Sequence, residues 1–251
     1  MKQSVILSVT KLVKLVLSLP KERISIYFAL LLVACSGDGS STAANGNSGN
    51  SDNGASSEFD ASSNTLKDSR DGKTYKTVEV EGATWMAENL NYAGNEIGES
   101  FCFNDEDRFC DVYGRLYSRD AAMNDAGCNK TSCDLGDAPI QGVCPSGWHI
   151  PSKAEIDDLV NSVSKNGLTL MSAEGWDVSM PAGTNTLGLS LVGSGDYDSS
   201  KHFEHLGVDA FLWLYSEGSQ TYVVVRGEDS NIFVNTYTSS QLYNSVRCVM
   251  D

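Results

Sequence analysis

An α+β domain is predicted over residues 65–251, with short antiparallel strands, one long helix at about 153–165 and loops stapled by disulfides. Three observations carry that expectation. Ser152-Lys153-Ala154-Glu155 is a capping box, in which the serine hydroxyl and the glutamate carboxylate satisfy the free amides of a helix start. Four runs of β-type sequence follow Asp209, separated by Gly, Ser, Asp and Asn. Six cysteines fall in the same stretch, an even set suited to pairing.

The elements follow in chain order. Residues 1–35 read as a lipoprotein signal: Lys21 and Arg23 precede the apolar run from Ile24, and Leu32-Val33-Ala34-Cys35 is a lipobox. The apolar stretch is too short for a bilayer, which needs about 20 helical residues, so a diacylated Cys35 is expected as the anchor. Residues 36–64 are almost wholly Ser, Gly, Asn, Asp and Ala, with too little apolar surface to offset chain entropy, and predict a disordered tether. Asp71-Gly72 predicts a turn. Thr74 to Val80 alternates with period two, and Glu81-Gly82 turns it back into Ala83-Thr84-Trp85-Met86, a hairpin with Trp85 inward. Residues 93–108 predict a loop, Tyr113 to Tyr117 a short strand, and 120–125 one or two helical turns. After the capping box, Ile156, Leu159, Val160 and Val163 form one apolar stripe, and Gly167 is placed to end the helix in a left-handed conformation. Strands are predicted at 211–215, 222–226, 232–237 and 245–249.

The formal charge is −15, and the residues up to Cys35 contribute five Lys or Arg against one Glu, so the remainder carries −19. That surface disfavours nucleic acid and anionic lipid. With Cys35 assigned to lipid, Cys102, Cys110, Cys128, Cys133, Cys144 and Cys248 remain, and six cysteines allow 15 connectivities. Proximity suggests Cys102 with Cys110, Cys128 with Cys133, and Cys144 with Cys248. None of these pairs has C-x-x-C spacing, which argues against zinc.

Several segments together resemble the Fibrobacter succinogenes major paralogous domain of bacterial surface proteins, which are often lipoproteins. They are Asp71-Gly72-Lys73-Thr74-Tyr75-Lys76-Thr77-Val78, Thr84-Trp85-Met86-Ala87-Glu88-Asn89-Leu90-Asn91-Tyr92, Tyr113-Gly114-Arg115-Leu116-Tyr117, Cys144-Pro145-Ser146-Gly147-Trp148-His149-Ile150-Pro151-Ser152 and Ser245-Val246-Arg247-Cys248-Val249. The resemblance implies a surface location and, more distantly, a C-type lectin-like fold with a long-range disulfide to the last strand, which Cys144 and Cys248 fit. The calcium-binding motifs of sugar-binding C-type lectins are absent, and no cofactor is expected. The acidic groups Asp105-Glu106-Asp107, Asp196 and Asp198 could take calcium only if brought together, and are expected as solvated loop charge. His202 and His205 would share a metal only if helical, with no third ligand indicated, and His149 is expected to be structural.

Trp85 and Trp148 are expected in the core, whereas Trp176, Tyr197 and Tyr215 are the candidates for an exposed ligand-binding surface on which sugar rings stack. The sequence holds no triad, phosphate loop or carboxylate pair, so the expected function is non-enzymatic: a lipid-anchored, surface-exposed adhesion protein of the cell outer membrane, with plant-wall polysaccharide or another glycan as ligand. The alternatives are an envelope protein that binds a protein partner, and an enzyme similar to the formylglycine-generating oxidases, which would require a free reactive cysteine.

Overall fold

The computed structural model describes residues 57–94, 96–124, 139–216, 220–237 and 242–251. Cys35 with its expected lipid anchor, the signal, most of the tether, and the expected pair Cys128 and Cys133 lie outside the described residues.

The N-terminal sheet starts earlier than composition suggested. β1 (Glu58–Asp60) lies within the stretch read as tether and pairs with β2 (Thr65–Lys67), Phe59 opposite Leu66. β2 pairs in turn with β3 (Thr74–Val80), and β3 with β4 (Ala83–Met86). The alternation in β3 buries Tyr75 and Thr77 on one face, and Val80, of opposite parity, is buried in the other core cluster. Glu81 and Gly82 both have positive φ, 50° and 80°, the signature of the two-residue turn whose twist matches a hairpin. Trp85 is buried, as the pattern predicts.

Three short helices follow among the described residues, and none is long. β5 (Ser100–Phe101) precedes a 3-10 turn at Phe103–Asp105 and α1 (Asp107–Tyr113). β6 (Leu116–Ser118) leads into α2 (Arg119–Met123), whose first turn is capped by Ser118 Oγ accepting from Ala121 N. β7 (Trp148–His149) precedes α3 (Lys153–Ser162). Both bonds of the capping box are present at Ser152 and Glu155. The stripe Ile156, Leu159 and Val160 is buried in one core cluster with Leu212, Leu214, Val223 and Val225.

The C-terminal half supplies β8 (Ser194–Tyr197), β9 (Phe203–Leu206), β10 (Asp209–Leu214), β11 (Gln220–Arg226), β12 (Ile232–Tyr237), β13 (Tyr243–Asn244) and β14 (Val249–Met250). One sheet has the order β1-β2-β3-β4-β14-β7. The other runs β12-β11-β10-β8-β13-β6-β5, with β9 on β8. Pairing is antiparallel except between β8 and β10.

This architecture corrects the expected α+β, lectin-like fold: among the described residues the domain is mainly β, built on two sheets, with no long helix. The helix expected to reach residue 165 ends at Ser162 because Ser164 and Lys165 turn left-handed at φ 53° and 62°. Gly167, expected as that left-handed cap, instead opens a 3-10 turn. A Cβ there would lie 2.6 Å from Ser230 O, so the glycine permits close backbone approach. Of the strand predicted at 245–249, Ser245 makes only an isolated bridge to Leu212, 246–248 are irregular and Val249 begins β14, while residues 113–115, also predicted as strand, close α1 and turn.

Two clusters form the core. In the first, Trp148, Trp213, Tyr117 and Leu90 surround the Cys144–Cys248 disulfide, whose Cα atoms are 5.8 Å apart across 104 residues. Polar atoms within it are satisfied: Trp213 Nε1 donates to Tyr117 O at 2.8 Å, and Tyr117 Oη accepts from Tyr92 N and donates to Tyr92 O, both at 2.9 Å. A disulfide in this position ties β14 to the loop before β7.

Candidate functional site

The stretch after β4 leaves the sheet edge while its amides remain engaged. Ala87 N donates to Lys76 O at 2.7 Å, and Leu90 N to Val246 O at 2.8 Å. That placement aims two asparagines at the end of α1. Asn89 Nδ2 donates to Tyr113 O at 2.8 Å, one of the carbonyls at the helix terminus, and Asn91 Nδ2 adds a second bond, at 3.2 Å, to Cys110 O, which also accepts from Gly114 N. Gly114 follows at φ 72°, and a Cβ there would stand 2.6 Å from Asn89 Cβ. Only glycine allows α1 to end against this segment.

Opposite α1, Arg247 enters from the segment before β14. It is 1% exposed and is surrounded by acceptors without a paired carboxylate. Nε donates to Asn89 Oδ1 at 2.7 Å, Nη2 to Ser190 O at 2.8 Å, and Nη1 to Leu189 O and to Met86 O. Burial pushes its pKa down to about 9, with Glu88 opposing the fall. At neutral pH the guanidinium is therefore a buried cation solvated by backbone oxygen.

These segments enclose a cleft of about 560 Å³, within the range of about 300–1,000 Å³ common for small-molecule sites. Its charged lining is balanced: Lys73, Lys76 and Arg247 against Glu88, Asp111 and Glu174. Glu88 Oε2 accepts from Lys76 N at 2.8 Å, and Lys73 Nζ donates to Asp71 and to Asn91 O, which orders part of the rim. Val112, 57% exposed on α1, adds one apolar surface at the lip.

None of the three aromatic candidates lines the cleft. Tyr215 is buried at 7% exposure, its backbone bonded to Pro151 O and Lys153 N, which corrects its expected place on a ligand surface. Trp176 is half-buried and donates from Nε1 to Leu191 O at 2.9 Å. Tyr197 is half-buried in a group of rings with Phe203, Tyr243 and Phe101, at centroid distances of 4.7, 5.0 and 5.4 Å. Trp85 and Trp148 are core residues, each 2% exposed.

The histidines are placed by strands rather than by a helix. His205 lies in β9 and its Nδ1 contacts Asp196 Oδ1 at 2.7 Å, while His202 is in the preceding turn, so the two do not form a helical pair. Asp196 is buried, not solvated, and Asp198 accepts from the amides of Ser200 and His202. His149 is fixed between Asp251, at 2.7 Å from Nδ1, and Glu155, at 2.9 Å from Nε2. Among the described residues no group of three or more His, Cys, Asp or Glu is arranged to hold a metal ion. Cys102 is bonded to Cys110 and Cys144 to Cys248, as proximity suggested.

The motif segments Ala87 to Asn91, Gly114 and Arg247 thus converge on one cleft, and together with the two-sheet frame they define a disulfide-stapled, mainly β domain. The chain belongs to the Fibrobacter succinogenes major domain family, whose model matches residues 78–250. No curated protein and no solved structure matches the chain.

Proposed function

We propose that the chain is a binding protein whose cleft takes a short stretch of glycan, held at the surface of the outer membrane by a lipid anchor at Cys35. The balanced lining carries the reading. Three cationic and three carboxylate side chains favour neither a net anion nor a net cation, and hydroxyl groups, which both donate and accept, complement such a mixture. A few fixed polar groups around a concave site orient a small ligand without reacting with it. The anchor and the Ser/Gly/Asn-rich segment after it would leave the domain free to reach an extracellular polysaccharide.

The test is depletion of the oxidised full chain from solution by insoluble cellulose, xylan and a glycan panel, with calcium or chelator present. Saturable binding that competing soluble glycan displaces is expected, unaffected by chelator and weakened about tenfold by Lys76→Met with Glu174→Gln. Binding that ignores these substitutions would remove the cleft from the reading. A protein partner in the envelope is the second reading, favoured by the exposed Val112 at the lip; crosslinking on intact cells would recover it through α1.

A further inference from the structure

The two described disulfides sit in different surroundings. Cys144 and Cys248 are both 0% exposed, inside the first core cluster. Cys102 and Cys110 are 6% and 5% exposed, the first ahead of α1 and the second within it, and Cys110 belongs to the lining of the cleft. An attacking thiol needs access to a sulfur, and the short bridge, slightly exposed and with Cys110 in the wall of the cleft, is better placed for it than the fully buried long one.

Charge favours the same bridge. Arg115 is anchored by Nε to Ser100 Oγ at 3.0 Å and by Nη2 to Ser100 O at 2.9 Å. This leaves Nη1 at 3.4 Å from Cys102 Sγ and 3.7 Å from Cys110 Sγ. A guanidinium beside both sulfurs stabilises the thiolate that leaves when the bridge is attacked, and lowers the proton affinity of the reduced pair. The Asp107 carboxylate, 3.8 Å from Cys102 Sγ, opposes a thiolate there but would accept the proton of a Cys102 thiol. The wall that the bridge holds is slight: α1 is seven residues long, with Cys110 as its buried residue. Its other restraints include the Asn89 and Asn91 hydrogen bonds at its C-terminal end and the packing of Phe109 on Phe103, with ring centroids 5.7 Å apart.

We propose that the Cys102–Cys110 bridge is a reducible staple regulating the cleft, which holds ligand in the oxidised chain and loses its α1 wall when an external dithiol reduces the bridge; the ligand part rests on the glycan reading above. One thiolate of the dithiol attacks Cys110 Sγ and forms a mixed disulfide, and Cys102 leaves as a thiolate beside Arg115. The second thiol of the reductant then closes its own disulfide and releases Cys110. Two electrons pass from reductant to protein, and the two protein thiolates take up protons according to their acidity.

The test equilibrates the full chain in dithiothreitol buffers of graded potential, alkylates the thiols and locates them by peptide mass spectrometry, with amide hydrogen exchange over residues 107–114 on the same samples. Cys102 and Cys110 should become labelled at a less reducing potential than Cys144 and Cys248, with exchange at 107–114 rising at least tenfold at that point. Arg115→Gln should favour the oxidised bridge about tenfold, a shift of about 30 mV, and Arg115→Lys should retain most of the native value. Bridges that open together, a long bridge that opens first, or exchange that does not rise would each overturn the staple, and these wild-type measurements decide even if a variant does not fold. In the ligand arm, the double variant Cys102→Ser with Cys110→Ser should bind glycan at least fivefold more weakly than the oxidised chain, and equal binding would overturn the link to the cleft. A wild-type chain that binds no glycan sinks the glycan reading, while the labelling order and exchange still judge the staple.

Discussion

Arg247 Nε donates to Asn89 Oδ1 at 2.7 Å, a bond between residues 158 apart in sequence that joins the last strand's approach to the segment bordering the cleft. The same guanidinium bonds three carbonyls, so its loss orphans several buried acceptors at once. Arg247→Met is expected to destabilise the fold by about 3–5 kcal/mol, and Arg247→Lys to recover less than half, since an ammonium cannot span a fork of acceptors. Urea denaturation monitored by tryptophan fluorescence checks this, and a cost below about 1 kcal/mol for Met would contradict it.

Stability should fall as pH rises above about 6.5 because of His149. Burial opposes its charged form, but the hydrogen bonds and charges of Glu155 and Asp251 outweigh burial and hold its pKa above the ordinary histidine value. A raised folded-state pKa contributes stability that is complete below the unfolded value of about 6.5 and disappears as pH climbs through the folded one. Burial likewise opposes the charge on Glu155, yet the bonds from His149 and Ser152 prevail and lower its pKa. Its contribution is present above about pH 4.5 and is lost on acidification. Melting temperatures from pH 4 to 9 should therefore peak between those limits, and His149→Gln should flatten the alkaline slope. His205, raised by its hydrogen bond to Asp196, adds a slope of the same sign, and His205→Gln separates it.

The long disulfide should matter more than the short one. In the chain-entropy model a loop of 104 residues gives about 4–5 kcal/mol and one of eight residues about 2–3. Replacing Cys144 and Cys248 by Ala should lower the denaturant midpoint by the larger amount, and replacing Cys102 and Cys110 by the smaller. The reverse order would show that contacts in the unfolded chain, rather than loop length, dominate.

Gly114→Ala should cost about 1–3 kcal/mol, because φ of 72° is strained for any side chain and the new Cβ meets Asn89 Cβ at 2.6 Å and two carbonyls at 2.9 Å. Gly72→Ala, also at positive φ but with nothing within 4 Å, should cost less. Equal losses would mean that backbone conformation alone accounts for both.

Local signals were legible where one segment contains its own cause. The bounds of β3 and β12 follow from alternation, and the start of α3 from the two bonds of the Ser152–Glu155 box. α1 was missed because seven residues with Cys110 as the buried one carry no apolar stripe; its support comes from Asn89, Asn91 and the disulfide. Gly167 was misread because its closeness to Ser230 O arises from a contact 63 residues away. Tyr215 looked like a surface ring because its burial depends on the chain at Pro151.

The amino-acid sequence by itself pointed to the hairpin, the start of the capped helix, the Cys102–Cys110 pair and the family motifs, since each depends on periodicity or chemistry over a few residues. Only the tertiary structure decided that two sheets outweigh the helices, that Arg247 lies buried among carbonyls, and that residues from 73 to 247 meet at one cleft. The physical reason is that strand pairing and buried hydrogen bonds are satisfied between distant segments, and neither leaves a periodic trace in the segments that supply them.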